Sequence, residues 1–328
     1  MLIETSARRL LLMMCAHEGK TLSVGELTRG LELDPATLTH CAVFLQQHGV
    51  LIESVAGPGY RLVSKPKLLL PEFVQMALRP QGLNWKIQHY FQLGSTNDVA
   101  RELAEGGGQE GLVVVAEEQL AGRGRLQRTW FSQRGTGIYM SLVLRPTIPP
   151  RQAPLLNLVA AVAVSRALES ECALESEIKW PNDILTGGRK CCGILTEMEA
   201  ESGRIRHVVL GIGLNVNQDE FPDELADRAS SVFLVTGCRF DRSRLLRSVL
   251  ATFEEHYLDF TRLGSRRVIE EWTSRSPSSH GCNVTVQFQG DSLTGVTDGI
   301  NPDGALRVRL ESGTIREVVA GDVMLWDR

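Results

Sequence analysis

Apolar positions recur at helical spacing over residues 1–65 of the chain, and the polar residues between them supply helix boundaries. Thr5 or Ser6 stands where a cap would open a first helix running to about His17. Ser23-Val24-Gly25-Glu26 has capping-box form and opens a short second helix. Asp34-Pro35 joins a cap to a proline at the first helical position, so a third helix runs to His48 and stops at Gly49. Leu38, Cys41, Ala42 and Leu45 share one face of it. Val50-Leu51-Ile52 and Tyr60-Arg61-Leu62 then flank Gly57-Pro58-Gly59 as strand, turn and strand. Three helices and a hairpin predict a winged helix-turn-helix; a small helical interaction module shows the same pattern.

Pro66, Pro71 and Pro80 punctuate residues 66–80, which read as a linker with one or two helical turns. Residues 81–270 alternate strand and helix patterns and predict an α/β (α+β) domain. Strands are expected at 87–91, 112–116, 138–144, 178–180, 193–198 and 208–214. Helices are expected at 96–105, 154–169 and 245–263. The helix at 154–169 is apolar on most sides and so belongs inside. In residues 271–328, Asn283 to Phe288 alternates with period two. Gly290-Asp291, Asp298-Gly299 and Asp303-Gly304 separate further short strands, predicting a small β-barrel.

Composition narrows the class. The chain has 328 residues, enough for two or three domains. A net charge of -4 argues against a polycation that seeks nucleic acid or membrane as a whole. No apolar run approaches the roughly 18–20 residues that span a bilayer. Seven cysteines, without a C-x-x-C pair, fit a reduced cytoplasm and no structural metal site.

Four stretches carry candidate chemistry. Gln119 to Trp130 holds Arg123, Arg125 and Arg128 with Gly122 and Gly124. Arginine supplies bidentate donors for phosphate or carboxylate, and glycine lets backbone approach a ligand. Alone, the loop fits anion binding, a solvated basic loop or an RNA-binding segment. In Lys179-Trp180-Pro181-Asn182-Asp183 the proline fixes an extended chain ahead of Asp183, a structural acid or one that orients an amine. Lys190 follows a Gly-Gly turn and leads into an apolar strand. Ser95-Thr96-Asn97 heads a helix, where such residues either cap the helix or receive a ligand. Gly211 to Asn217 has two glycines and no third, so it is not a dinucleotide fingerprint, and there is no Walker A sequence.

The order of these stretches is more specific than any one of them. Ser-Thr-Asn, Gln-x2-Gly-Arg-Gly-Arg-x2-Arg-x-Trp, Lys-Trp-Pro-Asn-Asp, Arg-Lys-x2-Gly-Ile-Leu and Gly-x-Asn together resemble the biotin protein ligase family, over residues from about 20 to 326. With the N-terminal winged helix, the chain is similar to the bifunctional bacterial form that also represses biotin genes. The resemblance implies a catalytic domain with a mixed sheet and an SH3-like C-terminal barrel. It implies formation of biotinyl-5′-AMP from biotin and ATP with Mg2+, then transfer to a lysine of the biotin carboxyl carrier protein of acetyl-CoA carboxylase. It places Ser95, Thr96, Asn97, Gln119, Arg123, Gly124, Arg125 and Lys190 at biotin, with Gln119 on the ureido ring. It places Arg125, Arg128, Trp130, Asn182, Lys190 and Asn215 at ATP or the adenylate. Lys190, Arg125 and Asp183 are the catalytic candidates, Asp183 orienting the acceptor amine. Biotin is then substrate and co-repressor precursor, and a homodimer loaded with biotinyl-5′-AMP would read operator DNA.

Two departures stand out. The family's loop has glycine before its third arginine, and here that residue is Gln127. The helix-turn-helix, Val24 to Val43, offers Thr37, Thr39 and His40 as base readers, but its second helix has no lysine or arginine. Six basic residues offset six acidic ones over residues 1–65, which weakens the phosphate contacts that supply much of DNA affinity. A ligase whose winged helix does not read DNA, a lipoate or octanoate ligase, and a non-catalytic biotin sensor remain as alternatives.

Overall fold

The computed structural model describes residues 2–55, 57, 59–75, 78–288, 291–319 and 321–325. The chain divides into two compact units, Met1–Lys67 and Leu68–Arg328.

The first unit contains α1 (Leu2–Ala16), β1 (Thr21–Ser23), α2 (Val24–Leu31), α3 (Pro35–Gln47), β2 (Ile52–Val55) and β3 (Gly59–Leu62). Ser23 and Glu26 form a reciprocal capping box on α2. Asp34 caps α3 by accepting from the N–H groups of Ala36 and Thr37. Leu38, Cys41, Ala42 and Leu45 are buried on one face of α3. Thr5 and Ser6 do not cap: they lie inside α1, which begins at least three residues earlier than expected. The hairpin β2–β3 pairs antiparallel, and β1 adds a third strand beside β3. Pro58 of the expected turn lies outside the described residues.

The second unit begins inside the stretch expected as a linker. Leu68, Leu69 and Leu70 are buried, and a helix α4 (Pro71–Gln75) follows. The Leu69 N–H donates to Glu117 Oε1 at 2.7 Å, which fastens this segment to the domain behind it.

Seven strands form the main sheet: β4 (Lys86–Tyr90), β5 (Leu112–Ala116), β6 (Gly137–Leu144), β7 (Glu177–Lys179), β8 (Asp183–Thr186), β9 (Arg189–Glu201) and β10 (Arg204–Asn215). Their order is β4-β5-β6-β10-β9-β8-β7, with β4 and β5 parallel and every other pair antiparallel, so the sheet is mixed. The alternation within β5 explains the layering. Val113 and Val115 join the large core, whereas Leu112 and Val114 join a smaller cluster with Ala100 and Ala104 of α5 (Thr96–Glu105).

Helix α6 (Leu155–Cys172) packs between the sheet and α9 (Arg242–Leu263). The expectation that no stretch is long and apolar enough to cross a membrane needs correction. Pro150–Cys172 meets that measure by length and composition, but 72% of its apolar window is buried inside the protein, as a core helix requires. In the chain between β10 and α9 lie two short helices, α7 (Asp223–Ala226) and α8 (Val232–Thr236). After α10 (Arg266–Ser274), five antiparallel strands pair in the order β14-β13-β12-β11-β15. These are β11 (His280–Phe288), β12 (Asp291–Ile300), β13 (Leu306–Arg309), β14 (Ile315–Val318) and β15 (Asp322–Leu325). Gly290, expected in the first turn, lies outside the described residues. Val284, Val286, Leu306, Val308 and Val318 of this sheet belong to the same core as α6 and α9, which is why the C-terminal sheet falls in the second unit. All seven cysteines are free.

Candidate active site

The face of the main sheet that carries α5 becomes a pocket where its side chains are smallest. On β10, Val208, Leu210, Ile212 and Leu214 point into the large core, leaving Gly211 and Gly213 on the opposite face. A Cβ at Gly213 would lie 2.5 Å from the Trp130 ring, and one at Gly193 of β9 would lie 2.8 Å from it. A Cβ at Gly211 would collide with the Asn97 amide. Glycine is required at these positions for close approach, not for a turn. The result is a pocket of about 480 Å³, in the size range that encloses a small-molecule ligand.

One wall is the start of α5. Ser95 is the N-cap residue, yet its side chain makes no cap hydrogen bond. Gln119 supplies the cap from a distance: its Oε1 accepts from the Thr96 N–H at 2.8 Å and from the Thr96 hydroxyl at 3.0 Å. Gln119 Nε2 donates to Ser132 at 2.9 Å. The Ser141 hydroxyl bonds both Thr96 and Asn97, at 2.8 and 2.6 Å, and Asn97 Nδ2 donates to Glu197 at 2.8 Å. Thr96 and Asn97 are held by this network, Ser95 is buried beside them, and all three line the pocket. Of the two readings of Ser-Thr-Asn, capping by Ser95 is excluded.

A second wall is the Gly-Arg-Gly-Arg loop. Its two arms are joined by bonds from the Gly124 N–H to the Arg128 carbonyl at 2.7 Å and from the Trp130 N–H to the Gly122 carbonyl at 2.8 Å. Leu126 and Gln127 both adopt left-handed backbone angles, with φ of 54° and 58°. Each arginine is held. Arg123 pairs with Asp98 at 2.5 Å. Arg125 donates to the Gly321 carbonyl at 3.1 Å and to Asn182 Oδ1 at 3.4 Å. Burial makes the Arg125 charge less favourable, and Asp322 and Asp183 offset this. Arg128 pairs with Asp322.

The third wall comes from β8 and β9. Positive φ at Gly187 and Gly188 allows the tight turn that sends β9 back beside β8. Lys190 on β9 then faces Asp183 on β8, with Nζ 2.5 Å from Oδ1. Its ammonium also lies over the Trp130 ring, 5.3 Å from the centroid. The Lys190 backbone is held on both sides, its N–H donating to the Arg228 carbonyl and its carbonyl accepting from the Ser230 N–H. Asn182 is fixed to Ile194 by bonds of 2.6 and 3.0 Å. Asn215 lines the pocket as well, its Nδ2 donating to the Ser230 carbonyl and its Oδ1 accepting from Gln218.

All the candidate ligand residues, Ser95 through Asn215, thus line one pocket. The biotin/lipoate A/B protein ligase family model matches residues 89–215, and the biotin protein ligase C-terminal domain model matches residues 280–326. The bifunctional ligase/repressor BirA of Bacillus subtilis (strain 168) is 39% identical over 283 residues, covering 86% of each chain. The chain belongs to the biotin protein ligase family. Another member, the biotin–[acetyl-CoA-carboxylase] ligase of Mycobacterium tuberculosis, is 33% identical over 78% of this chain and 97% of its own. Among solved members, the biotin protein ligase from Aquifex aeolicus in complex with biotin and ATP superimposes with a TM-score of 0.63. It is 30% identical over 74% of this chain and 99% of its own.

Three contributions to this family member's pocket escaped sequence reasoning. Asp322, from β15, reaches the loop arginines from 194 residues away in the chain. The segment 221–229 closes the side beside Lys190 and carries no motif. Lys179 lies in the Lys-Trp-Pro-Asn-Asp stretch, and it too lines the pocket. No local signal marks it, because its place opposite Asp183 depends on the β7–β8 pairing.

In the first unit, Thr39 and His40 are exposed on α3. The Thr37 hydroxyl instead donates to Asp34 at 2.6 Å and is part of the helix cap. The Thr39 hydroxyl donates to the Pro35 carbonyl at 2.9 Å.

Proposed function

We propose that this protein is an ATP-dependent biotin protein ligase. It joins biotin to AMP and then passes the biotinyl group to one lysine of a biotin carboxyl carrier protein. The observation that carries this reading is the convergence of Arg123, Arg125, Arg128 and Lys190 with the Ser95-Thr96-Asn97 network around one pocket. Adenylation brings a carboxylate against a phosphate. At about 4 Å and an effective dielectric near 20, two unit charges repel by roughly 4 kcal/mol. Pre-oriented cations offset that repulsion and stabilise charge that develops in the transition state.

The biotin carboxylate oxygen attacks the α-phosphorus and pyrophosphate leaves. Arg125 and Lys190 hold the α-phosphate and the carboxyl between them. Ser95, Thr96, Asn97 and Gln119 orient the biotin rings, with Arg123 and Gly124 closing over them. Arg128, Trp130, Asn182 and Asn215 hold the nucleotide. When Lys190 turns to the phosphate, Asp183 loses its partner and is free to accept a hydrogen bond from the incoming lysine amine. That amine attacks the acyl carbon, and AMP departs. The intermediate is a mixed anhydride, and a loop closing over it keeps water out.

Among the described residues, no group of three His, Cys, Asp or Glu is placed to hold a metal ion. A Mg2+ ion would come with the ATP phosphates, since Mg2+ keeps its waters and takes few protein carboxylates. Such an ion would neutralise part of the phosphate charge.

We further assign residues 1–65 as a winged helix-turn-helix that represses biotin genes with biotinyl-5′-AMP bound, as a dimer. Residues 81–270 form the catalytic domain, and 271–328 an SH3-like barrel. The Bacillus relatives carry both roles in their names. The capped α2–α3 pair, with Thr39 and His40 exposed, supports DNA reading, although α3 carries no lysine or arginine.

The ligase reading is tested by incubating the protein with biotin and α-labelled ATP, in parallel with lipoate and octanoate. Biotinyl-5′-AMP alone is expected, and an octanoyl or lipoyl adenylate in its place overturns the assignment. For repression, an electrophoretic shift of the gene's own promoter is expected with biotinyl-5′-AMP present. No shift at low salt, where phosphate contacts are strongest, removes the DNA role.

A further inference from the structure

We propose that Lys179, with Arg228 beside it, binds the two terminal phosphates of ATP and holds the pyrophosphate as it leaves; this rests on the ligase reading above. The cations already assigned are engaged by protein groups. Arg123 pairs with Asp98, Arg128 with Asp322 and Lys190 with Asp183, while Arg125 donates to Gly321 and Asn182. Lys179 and Arg228 also line the pocket, and their side chains make no hydrogen bond or ion pair among the described residues.

Their placement is specific. Lys179 ends β7 directly opposite Asp183, the partner of Lys190. Arg228 accepts the Lys190 N–H through its own carbonyl, at 2.9 Å. The two free cations therefore flank the Lys190–Asp183 pair, one on the strand side and one on the segment before α8. Lys179 is half-buried, and burial lowers its pKa, with Asp183 opposing the shift and Lys190 reinforcing it. A half-buried ammonium without a partner is unfavourable unless a ligand supplies the counter-charge.

The reaction supplies one. As the carboxylate–phosphorus bond forms, the bond from the α-phosphorus to the bridging oxygen breaks. The electron pair of that bond goes to the leaving pyrophosphate, whose charge rises. Lys190 and Arg125 are committed to the α-phosphate and the carboxyl, so the leaving group needs other donors. Lys179 and Arg228 stand where that charge grows.

The test uses the full-length protein and biotin-dependent exchange of labelled pyrophosphate into ATP, with calorimetric binding of biotinyl-5′-AMP as a second measurement. The adenylate lacks the terminal phosphates. Lys179→Met is expected to raise the half-saturating ATP and pyrophosphate concentrations at least about tenfold, the weight of one charge-assisted hydrogen bond. Arg228→Ala gives a smaller increase, about threefold, because that side chain is exposed. Biotinyl-5′-AMP affinity stays within about twofold in both, and Lys179→Arg restores most of the exchange. The assignment is overturned if Lys179→Met leaves the pyrophosphate dependence unchanged, or weakens biotinyl-5′-AMP binding equally. A wild-type protein that binds ATP and shows no biotin-dependent exchange defeats the ligase reading, and this assignment with it.

Discussion

Glu117→Gln removes the charge of a buried acid that ties three segments of the second unit together. Glu117 follows β5 directly, two residues before the Gln119 that caps α5, and is 1% exposed. Its Oε2 accepts from Arg242 at 2.8 Å, and its Oε1 accepts from the Leu69 N–H at 2.7 Å and meets His89 Nε2 at 3.1 Å. Burial alone would raise its pKa. The Arg242 charge, the His89 contact and the Leu69 N–H overcome that, and the carboxyl sits at about 2 in place of 4.5. The difference is worth about 3 kcal/mol at neutral pH. Because the folded pKa is depressed, this stability is fully present above 4.5 and is lost as pH falls from 4.5 towards 2. Glutamine also leaves Arg242 without its counter-charge, and breaking such a buried pair costs about 3–5 kcal/mol. At about 2–4 °C per kcal/mol for a unit of this size, the variant should melt roughly 6–20 °C lower at pH 7. Thermal unfolding of both proteins from pH 8 down to pH 3 provides the assay. The gap is expected to be constant above about pH 5 and to narrow below it. A gap under about 2 °C at pH 7, or one that stays constant to pH 3, refutes the reasoning.

Further outcomes are expected at the pocket. Lys190→Ala or Arg125→Ala lowers ligation of labelled biotin at least about tenfold, more than 1.36 kcal/mol of barrier; near-wild-type transfer by both removes the assignment. Gly213→Ala places a Cβ 2.5 Å from the Trp130 ring and forces it to move, so titration should show biotinyl-5′-AMP binding weakened by about tenfold. Gln127→Gly relieves a left-handed backbone angle and raises stability by about 0.5–1 kcal/mol in urea unfolding, with ligation retained because no proposed donor is lost. Lys179→Met, as argued above, separates pyrophosphate binding from adenylate binding.

Much of the fold was legible wherever local pattern and burial agree. The helix at 96–105 and the strand at 112–116 have the boundaries their sequence predicts, because glycines or turn residues close both ends. Strand β8 was missed: Asp183–Thr186 is four residues long and follows a proline, too short for a period to show. Helix α10 was missed because only Val268 and Trp272 of its nine residues are buried. Strands β9 and β10 run longer than expected, since their outer ends are polar and only the pairing between them reveals the extension. At the site, Arg123, Arg125, Lys190 and Ser95-Thr96-Asn97 announced themselves by residue type and order. Asp322, Lys179 and the 221–229 segment did not, because tertiary folding alone brings them to the pocket. Gln119 was marked as a ligand contact, but its capping of α5 depends on a bond across 23 residues that no local rule foresees.

The central claim is tested most directly by the intact mass of a biotin carboxyl carrier domain after incubation with this protein, biotin, ATP and Mg2+. A gain matching a single biotinyl group, absent when ATP is omitted and absent when the acceptor lysine is replaced, is the predicted result. An unchanged carrier mass, with protein that binds biotin and ATP, contradicts the account.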